Sequence, residues 1–106
     1  MSNIVMVNEG IQEQYYLESL SYGLTTTPWG STPTSIEMIV IDITDEYNPS
    51  TVTDDVTTGS PAALGDVITL AKLGPLTPDH KYRVEVPFTD SDTNEWCAVF
   101  EVKAIG

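Results

Sequence analysis

The firmest pattern in the chain lies in residues 80–89, HKYRVEVPFT, where Tyr82, Val84, Val86 and Phe88 alternate with Lys81, Arg83, Glu85 and Pro87. A period of two places the first set on one buried face of a strand and the charged set in water. Pro87 cannot donate to a ladder, so a bulge or a locally unpaired edge is predicted there. A second alternation follows over residues 95–104, with Trp96, Ala98, Phe100 and Val102 inward and Cys97, Val99, Glu101 and Lys103 on the other side. The polar run Asp90-Ser91-Asp92-Thr93-Asn94 between them suits a hairpin loop. Lys72, Lys81 and Arg83, three of the four basic residues, lie in or just before the first of these strands, opposite Glu101 on the second.

Upstream the pattern loosens. Residues 35–44, SIEMIVIDIT, carry large side chains on both faces, as expected of a central strand covered on both sides. The β-branched Ile36, Ile39, Val40, Ile41 and Ile43 decide for a strand over a short helix. Residues 66–70, DVITL, read as a short strand after the turn signal Leu64-Gly65-Asp66. Residues 51–57, TVTDDVT, read as an edge strand, with Asp54 and Asp55 discouraging edge-to-edge pairing. Near the start, residues 4–7 predict a strand and Asn8-Glu9-Gly10 a turn. Residues 11–22 fit a strand with Tyr16, Glu18 and Leu20 on one face. They also fit two helical turns through Ile11, Tyr15 and Glu18; the strand is favoured because the central strand needs a partner. Residues 23–34 then form a Thr/Pro-rich connection carrying Trp29.

All 106 residues fit one domain, residues 1–106, with no internal repeat or linker. That length suffices for a core without disulfides or metal, and abundant Ser, Thr, Pro and Gly favour strands and turns. Sixteen acidic residues against four basic ones give a net charge of −12. Such a surface repels phosphate backbones and anionic membranes, which argues against nucleic-acid binding. It favours solubility, or a docking face for a basic partner or divalent cations. No run is long enough to cross a bilayer. The opening Met1-Ser2-Asn3-Ile4-Val5 lacks a basic segment followed by an apolar one, so the chain is read as made in a cytoplasm. A domain cut from a secreted precursor would give the same pattern.

Candidate chemistry is sparse. The lone His80 has no evident nucleophile partner in the sequence, and there is no nucleophile elbow or phosphate-cradling Gly loop. Asp54-Asp55 and Asp45-Glu46 are sequence neighbours, which a strand points to opposite faces. Cys97 alone cannot form an intrachain disulfide, and nothing nearby in sequence would make it a reactive thiolate. No catalytic residue is assigned, and the chain is expected not to be an enzyme. The sharpest ligand candidate is the set Asp90, Asp92, Asn94 and Glu95, whose alternating oxygens resemble the opening of a calcium loop. The loop has Glu95 where glycine is expected and lacks a bidentate Glu at its end, so a plain polar hairpin is the favoured reading. Tyr15, Tyr16, Tyr22, Trp29 and Tyr47 are aromatics without an assigned core place. They suit either subunit contacts or stacking on the sugar rings of a glycan.

The segment Gly74-Pro75-Leu76-Thr77-Pro78-Asp79-His80-Lys81-Tyr82 resembles the tyrosine corner of immunoglobulin-like and fibronectin type III domains. Leu76, Pro78 and Tyr82 match its Leu-x-Pro-x-x-x-Tyr pattern. The resemblance implies that Leu76 plugs the end of the core, Pro78 stiffens a crossing between sheets and the Tyr82 hydroxyl reaches a backbone group. It implies an all-β, antiparallel two-sheet sandwich of about seven strands. The absence of a cysteine pair, and of a Trp in residues 35–44, sets antibody-type domains aside and favours the fibronectin-like branch. More loosely, the layout is similar to small Ig-like proteins of phage and prophage structural regions. That resemblance implies a non-catalytic structural or protein-interaction module, virion-associated, working with a protein partner or as a homo-oligomer. The alternative is a ligand-binding module for surface glycan or calcium.

Overall fold

The computed structural model describes residues 2–26, 32–45 and 47–106, with the backbone alone for 2–11. In chain order the elements are β1 (Ser2–Tyr15), β2 (Gly23–Thr25), β3 (Ile39–Asp42), β4 (Ser50–Thr51), the helical turn α1 (Thr53–Val56), β5 (Thr57–Thr58), β6 (Ala62–Leu64), β7 (Val67–Thr69), β8 (Lys72–Leu73), β9 (Lys81–Thr89) and β10 (Glu95–Ile105). One layer is a five-stranded sheet ordered β1-β10-β9-β3-β4, antiparallel except for β1, which runs parallel to β10. The other is built from β2-β7-β6 and β5-β8. Leu20 and Leu73 exchange backbone hydrogen bonds of 3.0 and 2.8 Å, and the Leu70 amide donates to the Tyr22 carbonyl. Thus β7 and β8 form one interrupted strand, flanked by residues 20–25 on one side and by β6 and β5 on the other.

The buried core draws on both layers: Tyr82, Val84 and Val86 from β9 and Phe100 and Val102 from β10 meet Leu24, Ile68 and Leu73. The chain is therefore an all-β sandwich. Strand β9 alternates buried and half-buried residues along its whole length, as its sequence requires, and β10 pairs with it from Glu95↔Thr89 to Lys103↔Lys81. Pro87 sits in the middle of the sheet, yet its missing donor falls where the neighbour is irregular. Its carbonyl accepts from the Glu37 amide on the β3 side, between the Thr34–Thr89 bridge and the first regular pair, Ile39↔Glu85. Lys81 reaches Glu101 at 3.0 Å across the hairpin. Arg83 Nε lies 3.1 Å from Glu85 Oε2 but off the hydrogen-bonding angle, so the contact is ionic only.

Tyr82 is buried, and its hydroxyl accepts a 3.0 Å hydrogen bond from the Thr77 amide. Leu76 is buried at the end of the core, while Pro78 is exposed on the connection into β9. The phenol thus anchors the passage from β8 to β9, because its buried ring fixes the oxygen that accepts from the Thr77 amide.

Five expectations are corrected. Residues 35–44 do not form one strand covered on both faces. Only β3 is regular, Val40 alone in it is fully buried, and Ile39, Ile41 and Ile43 are half-exposed, because the second layer covers one face of the sheet, the face Val40 takes, as it does for β9. Residues 51–57 are not an edge strand. The Thr53 hydroxyl accepts from the Val40 amide and the Thr57 hydroxyl donates to the Thr53 carbonyl, stabilising the turn α1 between β4 and β5. Asn8-Glu9-Gly10 is no chain reversal. Strand β1 continues through it, and a register shift between Met6 and Ile11 absorbs the extra residues. Finally, residues 11–22 are extended only to Tyr15, and the connection over 23–34 contains β2, which buries Leu24 against the core.

Candidate functional site

The loop between β9 and β10 closes on Asp90. Its Oδ1 accepts from the amides of Asp92 and Asn94, both at 2.9 Å, and Oδ2 accepts from the Trp96 indole at 2.9 Å and more weakly from Asn94 Nδ2. The backbone closes with Asp90 and Asn94 at 3.0 Å, and Thr93 takes a left-handed φ of 64°. Asp90 is therefore the staple of the hairpin, with both oxygens occupied by N–H donors, while Asp92, Asn94 and Glu95 lie exposed around it. Among the described residues no three His, Cys, Asp or Glu side chains gather as metal ligands. The geometry of this loop is that of a polar turn.

These donors hold the Asp90 carboxyl below the usual carboxylate range, the Trp96 indole first and the Asn94 and Asp92 amides against the opposing effect of burial. A carboxyl depressed in the fold contributes stability above its unfolded value of about 3.9 and loses it as pH falls through the folded value. Asp90→Asn is thus expected to melt lower than wild type at pH 7, with the gap closing as pH drops below about 4. A melting series over pH checks this; a gap that stays constant would refute it.

The aromatic candidates do not form one platform. Tyr22 packs on Phe100 at 5.5 Å between ring centres and belongs to the core margin. Tyr15 and Tyr16 lie together, 5.0 Å between centres, where Tyr15 pairs with Ile105 at the end of β1 and β10. Tyr47 is 91% exposed in the turn after β3. Trp29 lies outside the described residues. The end of β1 is separated from the end of β3 by β10 and β9, about 14 Å of strand spacing.

A second polar group, missed in the sequence, stands at that same end of the sheet. Antiparallel pairing of β3 with β9 brings Asp42 to the mouth of His80, with Asp42 Oδ2 2.7 Å from His80 Nδ1. Asp42 Oδ1 accepts from the Thr44 amide at 3.0 Å and its hydroxyl at 2.6 Å, and Thr44 Oγ1 accepts in turn from the Lys81 amide. Burial pushes the Asp42 carboxyl up, but the hydrogen bonds from Thr44 and His80 outweigh it and hold the group low. Asp45 caps the following turn, Oδ1 accepting from the Tyr47 amide and Oδ2 from Asn48 Nδ2. Asp42, Thr44, Asp45, Asn48, Ser50 and His80 line a shallow cleft of about 200 Å³. The carboxylate orients the imidazole, as in a catalytic dyad, yet among the described residues no hydroxyl or thiol is hydrogen-bonded to His80.

Cys97 is half-buried on β10. Burial first, and then the Glu85 charge, push its thiol up, which disfavours the reactive thiolate. Two further sets of apolar side chains stand in solvent: Leu64 (87% exposed) with Val67 at the tip of the β6–β7 hairpin, and Leu17 (62%), close in sequence to the exposed Tyr15. Hydrophobic patterning had not singled out either one. Compared with known protein families, curated proteins and solved structures, the chain matches none.

Proposed function

We propose that this chain is a non-catalytic structural and protein-interaction module of the immunoglobulin-like, fibronectin type III-like kind, working in a phage or prophage assembly. The run β10-β9-β3-β4 facing β2-β7-β6 supports the fold reading, because it follows the strand arrangement of such sandwiches. The Tyr82 anchor supports it too. The phage setting rests on the sequence resemblance, and portal, capsid or tail genes beside the coding region would test it directly.

The observation that carries the interaction reading is that two of the sheet edges, β1 and β6, have no further strand paired to them among the described residues. Strand β1 is the edge of the larger sheet, fourteen residues long. It contains no Lys, Arg or Pro to blunt pairing. At the edge of the smaller layer, all three residues of β6 are exposed. Open edges bordered by exposed Tyr15, Leu17 and Leu64 offer both backbone pairing and apolar contact to an extended segment of a partner. The acidic surface then steers basic partners and keeps identical copies apart at low salt.

Sedimentation from about 10 µM to about 1 mM tests the homo-oligomeric form. Association that strengthens with salt and is lost in Leu17→Asp supports it; a monomer throughout, with no partner cross-linked to β1 in particle preparations, counts against the reading.

A further inference from the structure

The cleft at the ends of β3 and β9 is not used by the assembly reading, which rests on β1 and β6, and its lining suggests a separate role. We infer that it is a binding site for a single ring of a neutral saccharide, with Tyr47 as the stacking face and the Asp42–His80 and Asp45–Asn48 pairs as hydroxyl partners.

The chemistry is specific in three respects. First, the lining mixes acceptors and donors at close range. Asp42 and Asp45 present carboxylate oxygens, Ser50 and Asn48 present groups that both give and accept, and His80 presents Nε2, while the Thr44 hydroxyl is already committed to Asp42 and the Lys81 amide. His80 Nδ1 is engaged by Asp42, and among the described residues Nε2 has no partner. A pyranose ring carries vicinal hydroxyls that both donate and accept, which is the complement of such a lining. Second, those groups are held in place. Thr44 fixes Asp42 with two hydrogen bonds, and the Asp45 side chain fixes the turn through the Tyr47 amide and Asn48. A ligand therefore meets groups already ordered, and little further entropy is lost on binding. Third, the turn that supplies Asp45 and Asn48 also holds Tyr47 with its side chain almost fully in solvent. A large apolar ring in that position buries nothing in the fold, whereas the apolar face of a sugar ring would cover it.

The charge of the chain selects among sugars. A net −12, with two carboxylates in the cleft itself, disfavours uronic and sialic acids. The cleft is shallow and about 200 Å³, room for one ring, so affinity in the millimolar range is expected for a monosaccharide.

The test is an amide-correlation NMR titration with methyl glucoside, methyl galactoside and methyl mannoside, taken separately to about 50 mM, with glucuronate, arginine and calcium chloride as charged controls. Saturable shifts of the Asp42, Asp45, Asn48 and His80 amides with at least one neutral glycoside, weakened about fivefold in Tyr47→Ala, bear the inference out. Tyr47 supports no core contact, so unchanged Val84 and Val102 amides will show that this variant folds. Absence of shifts with all three glycosides overturns the inference. So do shifts that survive Tyr47→Ala undiminished, that map instead to residues 90–95 or to Tyr15 and Tyr16, or that arise only with the charged controls.

Discussion

Gly74→Ala is expected to destabilise the fold by about 3–5 kcal/mol, the largest single-site effect foreseen, read as a fall in the urea midpoint. Gly74 joins β8 to the passage that Tyr82 anchors, with φ at +127°, a region that residues bearing a Cβ rarely enter. A methyl group there would also overlap the Glu18 carbonyl oxygen and lie 2.9 Å from Gln14 Nε2. The backbone cannot step aside readily, because the Gly74 amide donates to the Val56 carbonyl at 2.7 Å and the Leu76 amide to the Tyr16 carbonyl at 2.8 Å. Conformational strain and steric overlap therefore add. Gly23→Ala is the control: its φ is ordinary and an added methyl meets nothing within 4 Å. It should change stability by no more than about 0.5 kcal/mol. Equal costs at the two positions would show that the close approach at Gly74 is not what this backbone depends on.

What could be read in the sequence was whatever is local. The β9–β10 hairpin was legible because two strands of clean alternation are joined by a short polar loop, so period, partner and register all follow from neighbouring residues. Asp90 was legible as a loop residue, though its bond to the Trp96 indole was not, since that depends on how the loop folds back. Residues 35–44 misled because an apolar run has the same composition in a strand covered on both faces and in one covered on a single face. The count of isoleucines does not say whether a layer packs on the second face. The parallel pairing of β1 with β10 joins the two ends of the chain, and no periodicity reports a partner about ninety residues away. The Asp42–His80 pair was hidden for the same reason. His80 was visible as the residue before a firm strand, but its partner lies 38 positions earlier and meets it only once β3 has paired with β9. The candidate cleft is thus a property of strand order, whereas the hairpin staple is a property of one short stretch, Asp90 to Trp96.

Gln14 shows the converse, a polar residue that the fold buries completely. It is the penultimate residue of β1, and its side chain ties three segments: Nε2 donates to the Leu73 carbonyl at 2.8 Å and the Glu18 carbonyl at 3.0 Å, while Oε1 accepts from the Tyr22 hydroxyl at 2.8 Å. The amide thereby joins the larger sheet to the β8 strand of the other layer. Gln14→Leu keeps the volume but leaves the Tyr22 hydroxyl without its acceptor and the Glu18 carbonyl without its side-chain donor. The Leu73 carbonyl retains the Leu20 amide. Loss of these bonds in a buried setting is expected to cost about 2–4 kcal/mol in urea unfolding. Gln14→Glu separates the roles of the two amide ends. It preserves the acceptor for Tyr22 but places a buried carboxylate against two carbonyl oxygens, which raises its folded pKa above the unfolded value. The unfolded state then releases its proton first as pH rises, so the penalty is largest at neutral pH and shrinks as pH falls toward about 4, opposite in sign to the Asp90 contribution. A Gln14→Glu penalty that is independent of pH, or a Gln14→Leu variant as stable as wild type, would mean that the joint between the layers is held by apolar packing alone.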